Sequence, residues 1–523
     1  MSSSLNFLQK SLRFLALATV VLCLAMGAAT LRAQDTELGS TATLEQLQKG
    51  FLAEPSAKKV PSIPREADLA TEPAAAPQPR LQYRFWPDEP SLKPGRAIVH
   101  LDRALVFYQL NNKTALQGWM DYQVALGDAN PEPTDLAMRL AIFDNVNQEL
   151  NRFAACEDSS WDLRLRDLKG LDVYGFLLPE VQQYRELARL LRFRALEQLG
   201  RRDFDGAVNS IRCGYRLAAF VRQGETVIQQ LVGIAIEGIM QEVVEDAIRT
   251  PGCPNLYFAL ATVPHERQSM LRALEFELSS FKRAFPILDN PAEQSWEPKT
   301  WQQQWAKTAE DLSKLLAMGM SSENGLVGPA SGLSLLLAAE VANNARGPRQ
   351  RLVQSGLAQE KVAAMCPEQV LAVDAAQRLR QIGDELLAAC LQPSSGSKKA
   401  VDAAMERLNQ EAKGERFRDI GTLLSSLLLT AVNAAVAAEV RVNSTHHRLL
   451  TIEAVRHFAA THDGQLPKTL SELTELLPQV DLHTGELIGY ELKSGPEGEW
   501  AEFSIGLPVE ELRIRRMKFR RSP

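Results

Sequence analysis

From Pro179 to Ile248 apolar residues recur every three or four positions, and that spacing restricts this part of the chain to helices laid against one another. Leu177, Val181, Tyr184, Leu187 or Ala188, Leu191 and Ala195 form one stripe, flanked by Arg185, Glu186, Arg189 and Arg192. Gly200 ends that helix. A second begins at Asp203, with Phe204, Ala207 or Val208, Ile211, Tyr215, Ala218 and Val221 or Arg222 on one side. A third runs from Glu225 to Ile248 and is apolar all round from Ile228 to Met240, the mark of a helix buried on several faces; Pro251-Gly252 stops it. The gaps between the three are too short for parallel crossovers, so neighbours must run antiparallel.

The same texture extends from Gly95 to about Ala438. Further helices are expected near 98–117, 133–155, 265–285, 300–318, 331–345, 368–391, 399–412, 416–440 and 444–461. The run Leu423–Val440 contains Asn433 and Glu439 and reads as a core helix rather than a membrane span. The last seventy residues change character. Asp463-Gly464 and Pro467 break the helical text, and Thr469 with Glu472 forms a capping box for a short helix bearing Leu470, Leu473, Leu476 and Leu477, with Leu470, Leu473 and Leu477 expected on its core side. Leu487–Leu492, Trp500–Ile505 and Glu511–Phe519 read as three antiparallel strands, with Tyr490, Trp500 and Phe503 as their large apolar groups. The expected fold is mainly α: a multi-helical antiparallel body over 95–443 and a small C-terminal α+β module over 444–523.

The N-terminus supplies an address. Lys10 and Arg13 precede an uncharged apolar run, Phe14–Leu31, which is followed by small residues near Ala33; this is the pattern of an export signal over 1–33. Its eighteen residues are also just long enough for an uncleaved membrane anchor. Either way the body is expected in the periplasm or outside the cell. A short helix is expected within 34–54. Nine prolines between Pro55 and Pro94 then predict an extended tether whose end, at Tyr83, Phe85 and Trp86, packs on the body.

Composition narrows the function classes. The chain is 45% hydrophobic and 23% charged, which excludes a mostly disordered chain. Its net charge is −6, and the leader holds three basic and no acidic residues, so the mature chain is nearer −9 and nucleic acid is not an expected partner. Beyond Cys23 there are five cysteines (156, 213, 253, 366 and 390), with no C-x-x-C pair, read as small buried hydrophobes. No nucleophile-elbow, zinc-protease, phosphate-loop or dinucleotide motif is present, and no catalytic, cofactor-binding or metal residue is assigned. Glu453 and His457, four apart, have the spacing to share a metal, but the late histidines (446, 447, 457, 462 and 483) read as surface or turn residues. Glu237 interrupts the apolar third helix and calls for a buried arginine, with Arg212 or Arg216 as its expected partner. Arg513, Arg515, Arg516, Lys518, Arg520 and Arg521 make the C-terminus basic, which suits either a charge-guarded edge strand or contact with an anionic envelope surface.

Three resemblances accompany these patterns. Leu190–Ala218 resembles a degenerate tetratricopeptide helix pair, with Phe204, Ala207 and Ile211 at that family's packing positions. Ile228–Met240, Pro254–Leu260 and the C-terminal string from His457 through Gly464, Pro467 and Leu470 to Asp481 and Thr484-Gly485 are similar to uncharacterised exported helical proteins of planctomycete-type bacteria. That string also resembles the post-helix part of type II secretion pseudopilins. The resemblances imply a local fold and no activity. The expected function is therefore an exported scaffold or protein-interaction protein whose partner is another envelope protein. The alternative is an envelope hydrolase with carboxylates contributed by separate helices.

Overall fold

A computed structural model describes residues 67–519, except 112, 127–132, 161–163, 173–178, 265–268, 320–340, 393–395, 397–398, 405, 408–419, 483–484, 497 and 506–512. The export signal, the helix expected within 34–54 and most of the one expected at 331–345 lie outside the described residues. In chain order the elements are β1 (Ala67–Thr71), β2 (Lys93–Arg96), α1 (Ala97–Leu110), α2 (Lys113–Leu126), α3 (Pro133–Leu140), α4 (Asp144–Ala155), β3 (Cys156–Asp158), α5 (Pro179–Gly200), α6 (Phe204–Arg222) and α7 (Val227–Arg249). They continue with α8 (Tyr257–Ala261), α9 (Ser269–Ala284), α10 (Pro298–Gly319), α11 (Arg346–Gln354), α12 (Gln359–Ala364), α13 (Pro367–Cys390), α14 (Ile420–Thr461), β4 (Gly489–Gly495), β5 (Gly498–Ile505) and β6 (Arg513–Phe519). The protein is mainly α with a small C-terminal sheet, as its periodicity requires.

Helices α5, α6 and α7 all touch one another. Local chemistry sets their ends. Asp203 caps α6 by accepting from the Gly206 N–H at 2.9 Å. Thr226 and Gln229 form a reciprocal capping box on α7, at 3.1 and 3.0 Å. Leu191, Ile211 and Tyr215 are buried between them. Gly233 lets α7 approach α6 closely: a Cβ there would lie 2.8 Å from the Ala218 carbonyl oxygen. Helix α7 is long and apolar enough to cross a membrane, yet 72% of its most apolar window is buried within the protein, which is how a core helix behaves.

The helices expected at 416–440 and 444–461 are one, α14, of 42 residues and so about 63 Å long. It joins two cores. Val432, Val436 and Val440 belong to one, with Trp301, Trp305 and Val370; Leu449, Ile452 and Val455 belong to the other, with α5, α6, α7 and the sheet. Nothing between Val440 and Ser444 breaks helical geometry, so tertiary contacts on both sides carry the helix through.

The C-terminal sheet corrects two expectations. It has four strands in the order β1-β6-β5-β4, with β1 parallel to β6 and the other pairs antiparallel. The basic strand β6 is therefore interior, covered by the chain's own N-terminal strand, and is not an edge strand guarded by charge. The proline-rich segment is correspondingly no free tether where it is described. Leu69 is fully buried and Thr71 Oγ1 donates to the Ile248 carbonyl at 2.7 Å; Phe85, expected to pack on the body, does so fully buried, and its N–H donates to the Ala259 carbonyl at 3.3 Å. Prolines kept this stretch extended, and an extended chain is what a sheet edge accepts. After α14, Leu470–Glu472 forms only a single 3₁₀ turn. Leu470, Leu473 and Leu476 are buried, whereas Leu477, expected in the core, is 59% exposed. Trp500 lies on the outer face, where its Nε1 donates to Glu502 at 3.0 Å; Ala501 and Phe503 fill the inner one.

Candidate functional site

The strongest concentration of buried charge lies where α6, α7 and α14 meet. Glu237, Gln241 and Glu245 stand four residues apart on α7 and so share one stripe. Arg222, at the end of α6, donates to Glu237 at 3.0 Å and also to Glu439 of α14. The partner of Glu237 is therefore Arg222, not Arg212 or Arg216. Arg212 Nε instead donates to the Arg84 carbonyl at 3.0 Å, and Arg216 to the Cys156 carbonyl at 2.7 Å. Further along, Gln241 Nε2 donates to the Val442 carbonyl at 2.9 Å, and Arg448 Nη2 to Glu245 at 3.1 Å.

Two carboxylates from separate helices thus share one guanidinium. Burial raises both of their pKa values; Arg222 opposes the shift in each, and the Glu237 charge raises Glu439 further. Sequence reading singled out Glu237 but not its assembly with Glu439, because 202 positions separate them and only the tertiary fold closes that gap.

A second cluster pins the N-terminal segment to α14. Arg456 donates to Glu453 at 2.7 Å and to the carbonyls of Glu72 and Cys253, each at 3.0 Å. Asn255 Nδ2 donates to the carbonyls of Ala74 and Glu453, and Glu453 accepts from the Leu256 N–H at 3.0 Å. His457 accepts from the Ala76 N–H at 3.0 Å through Nδ1, and its Nε2 faces Glu475 at 3.1 Å. Glu453 and His457, spaced for a shared metal, are thus turned to different partners. Among the described residues no group of three ligating side chains converges. Two late histidines are not surface residues: His446 is fully buried and His457 nearly so. His447 faces the Val480 carbonyl at 2.7 Å, His462 stacks on Phe458, and His483 lies outside the described residues. Cys156, Cys213 and Cys253 are free and buried, and burial pushes the thiols of Cys213 and Cys253 up to about 12, which suppresses the nucleophilic thiolate.

Two surface features complete the survey. A small apolar cavity between α6, α7 and the following turn is lined by Phe204, Val208, Ile211, Ala247, Cys253 and Leu256, away from the acidic pair. Helix α1 buries Leu101, Ala104, Leu105 and Tyr108 but turns Val99, Val106 and Leu110 to solvent, with Leu110 73% exposed. These positions, together with Arg103 between them, follow four-three-four spacing and so lie along one face. Met138 and Ile142, also exposed, follow on α3 and the turn after it. Periodicity located this helix but could not show its second apolar face, since apolar residues surround it. Compared with family models, with curated proteins and with solved structures, the chain finds no match in any of the three.

Proposed function

We propose that this protein is an exported, noncatalytic interaction scaffold of the bacterial envelope, whose helical body docks another envelope protein. The observation that carries this reading is the solvent-facing row Val99, Val106 and Leu110 on α1, with Met138 and Ile142 also exposed further along the chain. Single exposed apolar residues are ordinary, but a row of them along one helix face is the form in which a helix receives a partner. The buried charges support the same reading, because each cluster is consumed in internal bonds. Export rests on the charged, apolar and small pattern of residues 10–33.

A photo-crosslinking side chain placed at Val106, in cells carrying the full chain, should yield one discrete adduct. Leu110→Asp should abolish it, and the same probe at exposed Gln381 should give none. A crosslink unaffected by Leu110→Asp would remove the basis for this docking face.

The pair Glu237 and Glu439 favours one second reading, a hydrolase using carboxylates from separate helices. Its requirement is solvent and substrate access to two acids that are buried around Arg222. Hydrolysis of an envelope polymer by the purified chain, lost in both Glu237→Gln and Glu439→Gln while the fold persists, would place it first.

A further inference from the structure

Strand β4 is the outer strand of the C-terminal sheet, opposite the edge that β1 covers. Its register determines which backbone groups face outward. Gly495 pairs with Gly498 across a two-residue connection, which makes that pair hydrogen-bonded and turns the backbone of 489, 491, 493 and 495 toward β5. The Ile488 N–H confirms the alternation, since it points to the other side and donates to the Gln479 carbonyl at 3.1 Å. The N–H and C=O groups of Tyr490, Leu492 and Ser494 therefore face away from the sheet. Among the described residues no backbone bond engages them.

The strand is also self-complementary about Leu492. In an antiparallel pair of two β4 strands centred there, Leu492 meets its own copy, Tyr490 meets Ser494, Glu491 meets Lys493, and Gly489 meets Gly495. The outward parity makes 492–492 and 490–494 the hydrogen-bonded pairs, about six backbone bonds in all. Glu491 and Lys493 then fall in the non-hydrogen-bonded positions, where opposed side chains come closest, and they form two ion pairs on the outer face. Lys493 already holds Glu502 at 2.7 Å and Glu491 at 3.3 Å within its own chain; the dyad brings the second copy's Glu491 to the same ammonium, which offsets the usual resistance of an edge lysine to such pairing. Gln479 and the Val480–Leu487 bridge already occupy the outer side of the strand's start, at Ile488, so the second copy pairs over Tyr490–Ser494.

We infer that the chain self-associates through β4, joining two four-stranded sheets into one eight-stranded sheet across a two-fold axis. The surface differs from the α1 face, so the two readings stand or fall separately. A seven-residue edge makes a small interface, and the dimer is reversible.

Sedimentation of the full chain should show a dimer fraction rising between about 1 and 500 µM. Hydrogen exchange at high concentration should protect the amides of Tyr490, Leu492 and Ser494, which are unprotected when dilute. Glu491→Lys sets lysine against lysine across the dyad and should weaken association about tenfold. Within one chain the change gives up the 3.3 Å contact of Glu491 with Lys493 but sets a lysine directly opposite Glu502 on β5; an unchanged thermal midpoint verifies the fold. The exchange Glu491→Lys with Lys493→Glu should restore the dimer. A chain that stays monomeric throughout, or a dimer indifferent to Glu491→Lys with no new protection at 490, 492 and 494, would overturn the inference.

Discussion

Replacing Glu277 by glutamine should stabilise this protein at alkaline pH and do little at acid pH. Glu277 sits on α9 and accepts from the Val227 N–H, in the first turn of α7, at 3.1 Å. No lysine or arginine forms an ion pair with it among the described residues. Burial raises its carboxyl to about 7, and the bond from Val227 only partly opposes that rise. An unfolded glutamate titrates near about 4.3. Between those values the native state holds a proton that the unfolded chain has released, so stability falls as pH rises, by about 1.4 kcal/mol per pH unit. Across the window the loss comes to about 3 kcal/mol, allowing for a side chain that is not wholly shielded from solvent. Glutamine keeps an acceptor for Val227 and has nothing to ionise. Urea unfolding at pH 4.5, 6 and 8 should therefore show equal stabilities at pH 4.5 and a variant more stable by about 3 kcal/mol at pH 8, with unchanged slopes. Other buried carboxyls, Glu237 and Glu439 among them, tilt both curves alike, so the difference isolates Glu277. Identical pH profiles, or a variant destabilised at pH 8, would refute the argument.

Arg222→Leu leaves Glu237 and Glu439 buried without their shared cation and should cost about 3–5 kcal/mol, read from the denaturation midpoint. Leu191→Ala, at a site 1% exposed, should cost about 2–5 kcal/mol, and more than Arg192→Ala at the partly buried neighbouring position. Gly233→Ala should lower the thermal midpoint, because the new methyl meets the Ala218 carbonyl, a backbone atom that cannot swing aside. Mass spectrometry of protein recovered from cells should find an N-terminus near Gln34, and an intact Met1 on cytoplasmic protein would sink the export proposal. Limited proteolysis should spare residues 67–86, which the sheet and α14 hold through Thr71, Ala74 and Ala76.

Much of the fold was legible because helix and strand patterns are local. The stripe through Tyr184, Leu191 and Ala195 needs only the 3.6-residue repeat, and Thr226 with Gln229 needs only the spacing of a cap. The alternation of Phe503 with Glu502 likewise marked the sheet's inner face. The candidate site was far less legible. Glu237 announced itself as a carboxylate in an apolar run, but its partner is chosen by the approach of α6 to α7, and three arginines on α6 were within plausible reach. Leu476 and Leu477 are neighbours in an apolar cluster, and only the packed structure buries the first and exposes the second.

The sequence by itself determined a mainly helical body, the three successive helices between Pro179 and Arg249, and a small sheet at the end, because each follows from periodicity and from glycine and proline stops. Tertiary structure decided what brings distant segments together. It carried α14 unbroken across two cores, drew the strand at Ala67–Thr71 onto β6 nearly 450 residues away, and assembled Arg222, Glu237 and Glu439 from three helices. Local sequence cannot encode these outcomes, since the free energy that selects them comes from surfaces that exist only once the helices have packed.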